Sequence, residues 1–200
     1  MSRLTDPSEA LVPSFAAALD EHIELARKSR DMLMVDTQRM LAQWISCVQG
    51  GGKMLFFGNG GSASQAQHFA AELVVRINAN RAALPAIALS ADAAVLTAAG
   101  NDFGFETIFS RQIEAIGFKG DLAIGLSTSG NSPNIVKGLE LARSRGLSTA
   151  ALLGSEGGAA AKACDLAIIV PSRVTARIQE MHLVLGHMLC TALERALASS

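Results

Sequence analysis

Tyrosine is absent from this 200-residue chain, Trp44 is its only tryptophan, and the formal net charge is −1. A nucleic-acid binder needs a basic surface, commonly with aromatics that stack on bases, and this composition supplies neither. The densest basic stretch, residues 26–31 ("ARKSRD"), contains Asp31 and sits beside Glu24, so it reads as a solvated helix face. Long apolar runs are missing too. Half of the residues are hydrophobic, yet no uninterrupted run reaches the ~18 residues that cross a bilayer. The richest region, 82–100, is broken by Pro85, Ser90 and Asp92. The opening "MSRLTDPSEALVPSF" lacks a basic start followed by an apolar core, which predicts no secretion signal, no membrane contact and a cytoplasmic protein. Cys47, Cys164 and Cys190 are odd in number and form no CxxC, so they read as reduced structural thiols.

What is present is alternation. Residues 15–49 read as helix in two segments, closed by "GGGK", with glycines where a helix C-terminus accepts them. Short apolar runs follow: "KMLFFG", "PAIALS", "LAIGLS", "STAALLG" and "LAIIVP". Helical stretches lie between and after them, at 62–77, 106–116, 133–145, 158–164 and 175–197. Strands that are apolar throughout and separated by helices imply a parallel sheet covered on both faces. The expected fold is α/β, an open doubly wound sheet of five strands with an N-terminal helical extension. Residues 1–51 are expected to form that extension and 52–200 the ligand-binding unit of the same domain. Ligands of such sheets bind at the carboxyl ends of the strands.

Two loops at those ends could hold a phosphate. The first, Gly58-Asn59-Gly60-Gly61-Ser62, lets backbone N–H groups approach an anion at a helix N-terminus. Gly58, Gly60 and Ala63 satisfy a loose GxGxxA, but the ribose-binding acid expected about 20 residues later is not well placed. A nicotinamide enzyme is disfavoured, and a plain structural turn stays open. The second loop, "LSTSGNSPN" at 126–134, gathers Ser127, Thr128, Ser129 and Ser132 before a helix that Pro133 opens. No lysine follows the glycine, so this is not a nucleoside-triphosphate loop. The hydroxyls favour a phosphate ester over an ordinary capped turn.

Two helices carry metal-style residues. His68 and Glu72 stand at i and i+4 on one helix face, a pairing that suits zinc or a plain polar surface equally. On the C-terminal helix, Glu180 and His187 nearly align, whereas Gln179 and His187 are about 80° apart around the axis and about 12 Å along it. Periodicity therefore selects Glu180 with His187. His182 falls on another face and reads as a core or interface residue, and His22 carries no assigned role.

"GNGGSA", "LSTSGNSPN" and "TARIQEMH" together resemble the sugar isomerase (SIS) domain, and within it the phosphoheptose isomerases. "HFAAEL", "AAGNDFGFETIFSRQ" and "RIQEMHLVLGH" extend the resemblance over nearly the whole chain from about Gly52. It implies a homotetramer with N-terminal helices at the interfaces and active sites between subunits. It also implies a phosphorylated seven-carbon sugar as substrate, sedoheptulose 7-phosphate isomerised to D-glycero-D-manno-heptose 7-phosphate. One zinc per subunit would be held by His68, Glu72, Gln179 and His187. Glu72 is the implied base, and His187 the partner acid/base or purely a ligand. Asn59, Gly60, Gly61, Asn101, Asp102 and Gln179 match substrate-contacting positions. The chain departs from the pattern at Ala176, where some members carry an acid. The rival reading is a non-enzymatic SIS protein, such as one that assists replication initiation; Glu72 and His187, which that protein lacks, favour an enzyme.

Overall fold

The computed structural model describes residues 11–198. Five strands, β1 (Met54–Gly58), β2 (Ala86–Ala88), β3 (Leu122–Ser127), β4 (Ser148–Leu153) and β5 (Leu166–Ile169), form one parallel sheet in the order β2-β1-β3-β4-β5. The helices are α1 (Val12–Gln49), α2 (Gly61–Val74), α3 (Ala93–Phe103), α4 (Ser110–Ile116), α5 (Pro133–Ser144), α6 (Gly158–Ala163) and α7 (Thr175–Ala198). A short 3-10 turn, Phe105–Thr107, precedes α4. This is the doubly wound architecture that the apolar runs imply. Among the described residues no helix is long and apolar enough to cross a membrane.

Alternation along the strands divides the core in two. Met54 and Phe56 of β1, with Leu122, Ile124 and Leu126 of β3, face Trp44 of α1, Phe69 of α2 and Leu185 and Leu189 of α7. Leu55 and Phe57, with Ala123, point the other way, onto Ile113 of α4, Ile135 and Leu139 of α5 and Ala160 of α6. All of these side chains are buried, and each large one contributes about 1.5–3 kcal/mol by leaving water. Because both faces are covered, the central strands have no polar side to show, and β1 and β3 are buried at every residue.

Several element boundaries differ from the sequence reading. The N-terminal helix is one piece, α1, since no glycine or proline interrupts residues 14–49. Its buried stripe, Leu25, Ser29, Leu33, Thr37, Met40, Trp44 and Cys47, keeps helical spacing straight through the charged 27–31 segment. Helix α2 stops at Val74, and β2 keeps only three residues of "PAIALS". Helix α3 was not anticipated; Asp92 caps it, its carboxylate accepting a hydrogen bond from Val95 N–H at 3.0 Å.

The register Gly58↔Leu126 and Ser127↔Leu153 brings the carboxyl ends of β1, β3 and β4 to one edge of the sheet. On the α7 side of β4, His182 is fully buried and its Nε2 donates to Leu153 O at 3.1 Å. His182 is thus a core residue. Its Nδ1 has no hydrogen-bond partner among the described residues. Burial pulls its pKa down to about 4, outweighing the bond to Leu153, which acts the other way. A pKa below the unfolded value means that the unfolded chain binds more protons between pH 6.5 and 4. The stability contributed by neutral His182 is therefore complete above about pH 6.5 and is lost as pH falls towards 4, by roughly 3 kcal/mol in all. His182→Leu removes the titrating group and the orphaned nitrogen, while Leu153 O keeps its bond from Val170 N–H. Urea unfolding at fixed protein concentration should show the wild type losing about 3 kcal/mol more than the variant between pH 7 and pH 4. Parallel losses in the two proteins would contradict this assignment.

Candidate active site

Glycines and amides shape the loop after β1. Gly60 adopts φ +54° at the start of α2, a conformation open to glycine and strained for most other residues. At Gly61 the absence of a side chain matters for a different reason: a Cβ there would lie 2.6 Å from Gln179 Nε2. The Gln179 amide of α7 thus rests directly on the first turn of α2. Nearby, Gln65 Nε2 donates to Gln179 O at 2.6 Å.

The loop after β3 is wound by its own hydroxyls. Buried Ser127 Oγ accepts from Gly130 N–H at 3.0 Å, and exposed Ser129 Oγ accepts from Asn131 N–H at 3.2 Å. Ser132 occupies the N-cap position of α5 with extended backbone, and Pro133 opens the helix, as expected. Its hydroxyl, however, makes no capping bond. That hydroxyl remains available to an anion at the α5 N-terminus, where Ile135 and Val136 N–H already donate to Ser132 O at 3.0 and 3.1 Å. The two loops are joined by a reciprocal amide pair, since Asn59 and Asn134 each donate Nδ2 to the other's Oδ1 at 2.8 Å. Asn134, 1% exposed, was not singled out by the sequence, where it is simply the residue after Ser-Pro.

Beyond the loops, α2 and α7 bring three ionisable side chains together. His68 Nε2 and His187 Nε2 are 2.7 Å apart, one ring donating and the other accepting. Glu72 Oε1 lies 3.5 Å from His68 Nε2. One ligand atom from each of the three falls within 4.8 Å of the others, a donor set suited to a metal ion. A tetrahedral zinc with bonds of about 2.0–2.1 Å separates two ligand nitrogens by about 3.3 Å, so the rings need part by only about 0.6 Å. His68, Gln179 and His187 line one cavity of about 660 Å³, together with Ala176 and Glu180. Under the cluster, Cys190 is buried, and burial followed by the negative charge of Glu72 pushes its thiol up to about 12. It remains a neutral packing residue, as do the other two free, buried cysteines.

The pairing of Glu180 with His187, which periodicity selects, is not formed. Glu180 Oε2 is 2.7 Å from His22 Nδ1, and Oε1 accepts from Arg177 Nη2 at 2.6 Å. Arg177 also donates to Ala18 O, so Glu180 serves the α1–α7 contact, and His22 gains a role there. Asn101 and Asp102 lie exposed on α3. Their only side-chain hydrogen bond among the described residues joins them to each other, at 2.7 Å. They are not brought to the loops or to the histidines within this chain.

The SIS domain pattern matches residues 15–154. The chain is 50% identical over 188 residues to the phosphoheptose isomerase of Paramagnetospirillum magneticum, covering 92% of this chain and 98% of that one. The structure of the Neisseria gonorrhoeae phosphoheptose isomerase is similar with a TM-score of 0.88 at 39% identity, over 92% of this chain and 99% of the other. That of a Francisella tularensis phosphoheptose isomerase gives 0.89 at 34%, over 92% and 98%. Similarity of this extent in both sequence and fold makes the chain a member of the SIS-domain phosphoheptose isomerase family.

Proposed function

We propose that the protein is an aldose–ketose isomerase that converts D-sedoheptulose 7-phosphate to D-glycero-D-manno-heptose 7-phosphate, the first step towards bacterial ADP- or GDP-heptose. One observation carries the reading beyond family membership: α2 begins in a glycine and amide loop and bears, further along one face, a carboxylate grouped with two imidazoles. An anchored phosphate and a nearby base are what such an isomerisation requires.

Ser127, Thr128, Ser129 and Ser132 hold the phosphate, with the α5 N-terminus adding its dipole. Asn59, Gly60, Gly61, Asn101, Asp102 and Gln179 position the sugar, so that C1 lies against Glu72. Glu72 takes a proton from C1, and the C–H electron pair becomes the C1–C2 double bond of an enediolate as charge moves to the C2 oxygen. A proton returned to C2, together with transfer of the C1 hydroxyl proton to the C2 oxygen, leaves the aldehyde at C1 and a hydroxyl at C2, with His187 as partner acid/base or as a ligand alone. A zinc held by His68, Glu72, Gln179 and His187, one per subunit, supplies charge stabilisation at the sugar oxygens when bound.

The protein acts as a cytoplasmic homotetramer with sites between subunits. Residues 1–51 supply the interfaces and 52–200 form the sugar-phosphate unit, with 1–10 and 199–200 lying outside the described residues. Phe15, Leu19 and Ile23 on α1 support this, since they are 62%, 66% and 45% exposed in a single chain.

Two measurements test the site. Ser129→Ala and Ser132→Ala should each weaken binding of sedoheptulose 7-phosphate by about 0.5–3 kcal/mol, and that of unphosphorylated sedoheptulose far less. Equal losses for both sugars would make the loop structural only. Glu72→Gln keeps shape and polarity but removes the base, so isomerisation and hydrogen exchange at C1 in heavy water should fall by about 10²–10⁴-fold. Zinc is quantified in the same sample. A zinc-replete variant exchanging at the wild-type rate would remove Glu72 as the base, and a wild type that neither exchanges nor isomerises would favour a binding protein.

A further inference from the structure

Arg81 and Glu194 form an ion pair that belongs to neither loop nor the His68–Glu72–His187 group. Their side chains are 13% and 5% exposed, and Arg81 Nε donates to Glu194 Oε1 at 3.2 Å. Burying two charges costs several kcal/mol per ion unless every remaining donor and acceptor is met. Here they are met. Arg81 Nη2 donates to Glu72 O at 2.8 Å, and Nη1 to Leu73 O at 2.8 Å and Ala82 O at 3.0 Å. Glu194 accepts from Asn78 N–H at 3.2 Å and Ala79 N–H at 3.3 Å.

The partners on either side are telling. Glu72 O and Leu73 O are last-turn carbonyls of α2, Leu73 O also accepting from Leu84 N–H at 3.1 Å; the helix dipole there favours a cation, and no basic residue stands in the last turn. Arg81 provides that cation from outside the helix. Glu194 lies near the C-terminal end of α7, where the dipole disfavours a carboxylate. A leucine there would cost less for packing alone. On α7, His187, Cys190 and Glu194 follow one face at i, i+3 and i+7. One guanidinium therefore grips the backbone of Glu72 itself and, across the interface, the face of α7 that bears His187.

We infer that Arg81 and Glu194 are positioning residues that set the separation of α2 and α7, and so hold Glu72 and His68 in register with His187 for metal binding and proton transfer. The inference rests on the proposed function, since it gives the cluster a metal to hold. Lysine at position 81 keeps the charge but cannot span two carbonyls and a carboxylate at once.

The test uses the full-length protein stripped of metal, with zinc affinity measured by competition against a chelator. The variants are Arg81→Lys and the double change Arg81→Met with Glu194→Met, which removes both charges together. Asp121→Asn serves as a control, because it breaks a buried ion pair with Lys53 (2.6 Å) that lies just before β3 and β1 and, among the described residues, bonds to neither α2 nor α7. Zinc affinity should fall about 10–100-fold in Arg81→Lys and in the double variant, as it does when groups supporting metal ligands are lost. The kcat should drop with KM for sedoheptulose 7-phosphate held, while Asp121→Asn loses thermal stability and keeps its zinc affinity. If the double variant does not fold, Arg81→Lys decides. Affinity within about threefold of an active wild type, or an equal fall in Asp121→Asn, overturns the positioning role and leaves the proposed function standing. A wild type that neither binds zinc nor isomerises overturns the proposed function, and this inference with it.

Discussion

Helices α2 and α7 approach so closely at Gly186 that a methyl group there would lie 2.2 Å from the Phe69 ring. The rest of the site depends on that contact. With any side chain at position 186 the helices would have to separate, and the 2.7 Å approach of His68 to His187 would be lost with them. The contact is held at both ends by polar bonds, Gln65 to Gln179 near the start of each helix and Arg81 to Glu194 near the end. The ionisable cluster lies between these points. Its geometry is thus a property of two rigid helices seated on a buried sheet, which suits a group of side chains that must keep positions to within a fraction of an ångström.

The loops obey a different constraint. On the proposed reading their backbone must stay open to an anion, so their internal bonds cannot consume every N–H and hydroxyl at the helix ends. The fold resolves this by tying one loop to the other. The Asn59–Asn134 amide pair fixes the turn after β1 against the first turn of α5, leaving the Ser132 hydroxyl uncommitted. Parallel register then carries the β3 loop to the same edge as the start of α2. Rigidity comes from side-chain amides, and ligand-facing capacity is left to backbone and hydroxyls.

How much of this was legible follows from the range of each signal. All five strands read as short apolar runs: β1 and β3 are buried at every residue, while the edge strands β2 and β5 are apolar but only partly buried. Helix α3 escaped because its "AAVLTAAG" shows little polar alternation, although Asp92 before it is a capping residue. Residues 15–49 read as two helical segments but form one helix, because the buried stripe continues unbroken through Ser29. His68 and Glu72 share a helix and could be paired by spacing. His187 could not be: phase within α7 favours Glu180, whereas Glu180 is claimed by His22, which is 158 residues away in sequence. Contacts between helices leave no trace in the periodicity of either one. For the same reason Arg81 and Glu194, 113 residues apart, look like unrelated surface charges.

Ala176 bears on how protons move. It lines the cavity with His68 and His187, at a place where an acid would give the site a second carboxylate. One turn further along α7, Glu180 lines the same cavity, but both of its oxygens are already engaged, by His22 and by Arg177. Glu180 is thus committed to the α1–α7 contact and does not present a free carboxylate to the cavity. On the proposed reading, proton transfer therefore falls to Glu72 and the imidazoles grouped with it. A single base that removes a proton from C1 sits on one face of the enediolate and reaches C2 from that same face. The chemistry is then concentrated on one turn of α2 and the facing turn of α7, the pair of turns that the Gly186 contact brings together.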